Sequence, residues 1–134
     1  MELQWLLLAQ AIRLHPNGLL DIAGMFRRVT VSRERLSPAF TIVAKVKFDP
    51  LLASQQTTFT LRLANIEGDW LEELELPFTY PTLEQWTRGV WPIIRCVLSD
   101  FEFPDVGEYA VEAYHNGNLI GSETFVLERQ EETT

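Results

Sequence analysis

Apolar and polar residues alternate with a period of two through much of the chain, the pattern of strands with one buried and one wet face. Phe40, Ile42, Ala44, Val46 and Phe48 point one way, and Thr41, Val43, Lys45 and Lys47 the other. Phe59, Leu61 and Leu63 repeat the pattern, as do Leu74, Leu76 and Phe78. Val90 to Phe103, Glu108 to His115 and Asn118 to Leu127 read as the last strands. Leu3 to Leu14 is apolar nearly all round and helix-compatible by propensity. It runs into His15-Pro16-Asn17-Gly18, a tight hairpin signal, so a buried strand is the better reading.

Turn chemistry supplies the punctuation. Leu19 to Ile22 and Met25 to Val31 read as strand pieces hinged at Gly24, and Ser32 to Pro38 as loop. Asp49-Pro50 and Glu67-Gly68-Asp69 break strands, and Asn116-Gly117 is a second hairpin signal. Thr82 and Gln85 have the spacing of a capping box, predicting one short helix over Leu83 to Arg88 stopped by Gly89. Seven to nine short strands and no long helical crossover predict an all-β antiparallel sandwich.

With 134 residues, the chain has room for one core. A single β-sandwich domain is expected over residues 1–128, followed by a polar tail over 129–134. One cysteine, Cys96, excludes an internal disulfide and favours a reducing compartment. Glu2 gives the start an acidic character unlike an export signal, and no window has the apolar length of a membrane span, so a cytoplasmic location without membrane attachment is expected.

The net charge of −8 argues against nucleic acid as a partner. Residues 1–62 carry eight basic and four acidic side chains, whereas 63–134 carry three and fifteen. In a sandwich the two halves are expected to interleave, which makes this asymmetry a solvated surface rather than a pair of complementary faces.

Asp105-Val106-Gly107-Glu108-Tyr109 has the form D-x-G-x-Y and resembles the corner of immunoglobulin-like domains. The resemblance implies that Gly107 permits a sharp bend while the Tyr109 hydroxyl bonds back to nearby backbone. Val111 stands where antibody-type domains have a cysteine, so the likeness is to disulfide-free sandwiches. The Asn17-Gly18 turn, the segment Gly18 to Phe26, and the ending from Phe103-Pro104 to Asn116-Gly117 together resemble an uncharacterised family of small bacterial proteins. That resemblance implies a bacterial immunoglobulin-like sandwich and carries no functional residue with it.

No HExxH, CxxC, P-loop or GxSxG string occurs, and no enzyme activity or cofactor is expected. His15 and His115 each adjoin a hairpin turn, where a polar residue needs no catalytic explanation. Asp100, Glu102, Asp105 and Glu108 offer the hard oxygens calcium prefers. Yet Asp100 and Glu102 alternate with Phe101 and Phe103 as the wet side of a strand, so no metal site is expected.

Two features remain as a possible interaction surface. Arg27, Arg28, Arg33 and Arg35 form the one concentrated basic cluster, which reads first as a charged edge that discourages strand pairing. Trp86 and Trp91 flank the short helix, where a connection across a sheet end can leave a ring exposed. The expected function is a non-enzymatic binding or scaffold module for a protein partner or a second copy of itself. The alternative is a small-ligand or metal-binding protein with a pocket near Trp86 to Trp91.

Overall fold

A computed structural model describes residues 1–16, 19–31 and 36–130, which form nine strands in two sheets. The strands are β1 (Leu3–Leu14), β2 (Leu20–Met25), β3 (Arg28–Val31), β4 (Phe40–Val46), β5 (Gln56–Asn65), β6 (Trp70–Thr79), β7 (Ile93–Leu98), β8 (Gly107–His115) and β9 (Asn118–Arg129). One sheet has the order β2-β1-β4-β7, the other β3-β9-β8-β5-β6. Every pairing is antiparallel except β3 with β9, which run parallel. The arrangement is an immunoglobulin-like sandwich: β5, β8 and β9 supply one sheet's centre, and β8 begins at the tyrosine corner.

The period-two pattern puts Leu6, Leu8, Phe40, Ile42, Ala44, Val46, Phe59, Leu61, Leu63, Val111, Phe125 and Leu127 between the sheets. At the heart of this layer the rings of Phe40, Phe103, Tyr109 and Phe125 meet mostly edge to face, with Phe40 and Phe125 centroids 5.4 Å apart. Such offset contacts add about 0.5–1.5 kcal/mol per pair beyond burial.

Several elements depart from the sequence expectation. Met25 to Val31 is not one strand. β2 ends at Met25, half-buried Phe26 packs its ring edge on Phe40, and β3 then joins the opposite sheet. Gly24, the expected hinge, adopts φ +69°, and the Gln10 side chain lies over the space a Cβ would need. The expected strand from Val90 to Phe103 is real only over Ile93–Leu98. Phe101 and Phe103 lie beyond it in irregular chain that tucks its rings into the core, with Phe103 N–H donating to the Leu36 carbonyl. Asp100 and Glu102 are therefore not strand residues, although Glu102 remains exposed.

The short helix α1 (Leu83–Thr87) carries the expected reciprocal cap. Gln85 N–H donates to Thr82 Oγ1 at 3.0 Å, and Thr82 N–H donates to Gln85 Oε1 at 2.9 Å. A 3-10 turn over Pro50–Leu52 follows β4, capped by Asp49. Arg129, expected in a tail, is the last residue of β9, and Gln130 N–H donates to the Val31 carbonyl. The Asn17-Gly18 turn, Arg33 and Arg35 lie outside the described residues, as do 131–134.

Candidate functional site

An antiparallel sheet packed on one side ordinarily turns polar residues to water on the other. The four-stranded sheet does not. Register places Trp5 beside Lys45 and Ile93, Leu7 beside Val43 and Arg95, and Ala9 beside Thr41 and Val97, all on the face away from the core. Met25 and Ala23 extend this face across β2, opposite Ala9 and Ala11. Val97 and Met25 are 65% and 61% exposed, while Val43 in the middle is fully buried. The charges among these residues are Lys45, Arg95 and Arg13 against one acid, Asp21, which His15 Nε2 contacts at 2.6 Å.

The outer face of the five-stranded sheet is of opposite character. Among the described residues, register turns Glu73, Glu75, Glu108, Glu112 and Glu128 outward with only Arg28 and Arg62 between them. Arg62 lies over the rings of Trp70 and Tyr114, at 3.6 and 4.3 Å from their centroids. Its Nε donates to Glu73 at 3.0 Å, and Trp70 Nε1 and the Tyr114 hydroxyl both donate to Glu112. Partial burial disfavours the Arg62 charge, but the bonds to Glu73 and Tyr114 outweigh it and hold the guanidinium above its usual range. Trp70 stays about half exposed.

The two halves of the sequence interleave as expected, yet the outward-facing charges still segregate by sheet. β7 from the acidic half joins β1, β2 and β4 and brings Arg95, whereas β3 and β5 from the basic half join β6, β8 and β9 and bring Arg28 and Arg62. The spacing of Arg62, Trp70 and Tyr114 does not announce their cluster, because cross-strand pairing creates it. The apolar outer face did leave a signal, in Val43 and Val97 at wet positions of their strands.

Trp86 and Trp91 are each about two-fifths exposed and have separate partners. Trp91 stacks beneath Lys45 Nζ at 4.0 Å and so borders the apolar face. Trp86 lies parallel to Phe48, with centroids 4.6 Å apart and planes 21° off. Phe48 also helps line an open groove of about 510 Å³ with Met1, Glu2, Lys47, Asp49, Pro50, Leu52 and Tyr80. Asp49 Oδ1 accepts from Leu51 N–H at 3.0 Å, which fixes the carboxylate at the groove. Tyr80 is only 4% exposed, and burial, with the charge of Asp49 adding to it, pushes its phenol upward.

The arginine cluster and the tryptophans do not converge. Arg28 pairs with Glu128 on the adjoining strand of the acidic face, and the Arg27 carbonyl accepts from Val126 N–H. The histidines are apart as well. His115 Nε2 meets Thr57 Oγ1 at 2.9 Å, at the hairpin end where Gly121 packs against Leu3. His15 follows the far end of β1, roughly 35 Å along that strand. Burial raises the Cys96 thiol, which does not favour thiolate chemistry. Among the described residues, no three His, Cys, Asp or Glu side chains gather as metal ligands. No helix of the described chain is long and apolar enough to cross a membrane.

Solved structures similar to this chain include two from Pseudomonas. An immunoglobulin-like protein from Pseudomonas aeruginosa is 12% identical, with 90% of this chain and 91% of that one covered at a TM-score of 0.45. The alkylpurine DNA glycosylase AlkC of Pseudomonas fluorescens, bound to DNA containing an abasic site analog, is 14% identical. There the chain covers 92% of itself but 30% of the glycosylase, at a TM-score of 0.48. No curated protein sequence matches the chain. Residues 4–128 match one sequence family across nearly the whole sandwich, and the chain belongs to that family of unknown function, DUF6941.

Proposed function

We propose that the domain is a non-enzymatic protein-binding module that docks its partner on the outer face of the four-stranded sheet. The observation that carries this reading is the run of Trp5, Leu7, Met25, Ile93 and Val97, closed over buried Val43, on a face that water would otherwise populate with polar residues. An apolar centre edged by Lys45, Arg95 and Arg13 suits a protein surface with an apolar patch and a carboxylate rim. Facing itself, the same patch would oppose Lys45 and Arg95 to like charges, which disfavours a two-fold pair of copies. The single cysteine supports action in the cytoplasm, and the family resemblance supports a bacterial setting.

The test is site-specific photocrosslinking in the source cell. A photoreactive residue at Val97 or Met25 is expected to capture one and the same protein, one at Thr60 on the opposite face is not, and Arg95→Glu is expected to abolish capture. A crosslinked product of twice the chain mass would replace the partner with a second copy. Capture from Thr60 alone would overturn the reading.

A second reading, that the domain holds a small ligand, is favoured by the groove between Phe48 and Tyr80. Its volume lies within the range of about 300–1,000 Å³ usual for small-molecule sites.

A further inference from the structure

The four-stranded sheet ends on one side at β7, and among the described residues no strand pairs with the outer edge of β7. The Val46 N–H donates to the Pro92 carbonyl at 3.0 Å, which sets the phase of the antiparallel ladder. Ile94, Cys96 and Leu98 therefore exchange bonds with β4, while the N–H and C=O groups of Ile93, Arg95 and Val97 point to the unpaired side. Exposed edges ordinarily carry a device against strand addition. β2 has Gly24 at positive φ, β6 has Pro77, and β3 is four residues long. β7 reads Ile-Ile-Arg-Cys-Val-Leu in unbroken register, without Pro, Gly, Lys or a bulge. Where its end approaches β6, an open groove of about 370 Å³ has Leu74, Val97, Leu98 and Phe101 as its apolar lining. The charges of the groove are Glu72, Asp100 and Glu102, with no base beside them, and among the described residues none of the three has an ion-pair partner. Leu74, Leu98 and Glu72 also border a small hollow that reaches Ile42, Leu61, Leu63 and Val111 of the core, and its one base, Arg62, is bonded to Glu73.

We infer that the β7 edge takes up an extended segment of another protein as a fifth strand, apolar at its inward positions against Leu74 and Leu98 and carrying Lys or Arg beside Glu72, Asp100 and Glu102. In strand addition the main-chain bonds supply affinity, and alternate side chains supply specificity. Here the three edge residues offer the bonds, the apolar lining takes every second side chain, and the carboxylates reject an acidic segment. A second copy fits less well: an antiparallel pair centred on the edge residues would set Arg95 opposite its own counterpart, a like-charge contact. The inference goes beyond the outer-face reading, because a segment added at the edge does not have to cover that face.

The experiment is an amide NMR titration of the whole chain with the peptide acetyl-Lys-Val-Thr-Val-Thr-Val-Lys-amide, with hydrogen exchange recorded in the free and saturated states. The Arg95 and Val97 amides are expected to shift saturably, and their exchange to slow about tenfold as their N–H groups find acceptors. The same peptide with Glu at both ends is expected to bind about tenfold more weakly, and Asp100→Asn with Glu102→Gln to close most of that difference. Val97→Pro deletes an edge N–H and none that bonds to β4, and is expected to weaken binding severalfold. Equal binding of the two peptides to the unsubstituted chain would overturn the basic assignment. Saturable shifts without slower exchange at Arg95 and Val97 would overturn strand addition, and shifts centred on Leu7 and Met25 would move the peptide to the outer face. No saturable shift would overturn the site, and protection of Arg95 and Val97 without peptide, together with a doubled mass, would replace the segment with a second copy.

Discussion

The Tyr109 hydroxyl donates to the backbone carbonyl of Asp105 across 2.5 Å, which ties the start of β8 to the loop that enters it. The Tyr109 ring meanwhile stacks on Phe125 at 5.9 Å and meets Phe103 edge to face at 4.7 Å. Tyr109→Phe keeps those ring contacts and deletes only the bond. The expected loss is about 1–1.5 kcal/mol, read as a lower urea midpoint with an unchanged m-value. An unchanged midpoint would show that ring packing alone holds the corner.

Association through the outer face of the four-stranded sheet should depend on salt. Lys45 and Arg95 are the charges that steer a carboxylate-rimmed partner, and exposed charges are screened within about 8 Å at physiological ionic strength. Raising salt is expected to slow association with the crosslinked partner more than it speeds dissociation, and Arg95→Gln is expected to flatten that dependence. Surface-binding kinetics measured across a salt series check both.

Gly24→Ala should destabilise the β1–β2 ribbon without touching the core. At φ +69° an L-residue costs about 1–2 kcal/mol, and the added Cβ would sit 2.8 Å from Gln10 Oε1. The Gln10 side chain is long and can swing away, so the backbone strain sets the cost. The expected signature is faster amide exchange in β2 than in β8, followed by hydrogen-exchange mass spectrometry.

Burial pulls the His115 imidazole below its usual value, and Thr57 meets the ring as a neutral group. A histidine depressed in the folded state keeps its full contribution above the unfolded value, about 6.5, and loses it as pH falls toward the folded one. Stability should therefore decline on acidification below about pH 6.5. His115→Gln, which can still bond Thr57, should decline less over the same interval. Urea denaturation of both proteins at stepwise lower pH would reveal the difference, and parallel curves would exclude His115 as the titrating group.

The strands were legible wherever one face is buried and one is wet, because period-two alternation encodes burial directly. Phe59 to Leu63 and Leu74 to Phe78 needed nothing more. The capping box at Thr82 and the corner at Asp105 were legible too, since each is a short-range bond between residues close in sequence. Phe101 and Phe103 misled because irregular chain can bury alternate rings as a strand does. The cluster of Arg62, Trp70 and Tyr114 was beyond reach, since three strands must first be set side by side. The groove at Tyr80 has the same origin, being built from chain before β1, after β4 and after β6.

The parallel pairing of β3 with β9 sets Arg28 beside Val126 and Val31 beside Arg129. During synthesis, β3 therefore leaves the ribosome without β9, which follows only after β4 to β8. β9 also lies between β3 and β8, so its arrival joins two otherwise separate parts of the sheet. Closing so long a loop comes before any reward in contacts and slows folding. A nascent chain stalled before β9 would show a bare edge on β8 and an unpartnered β3, the state in which quality-control factors would meet this protein.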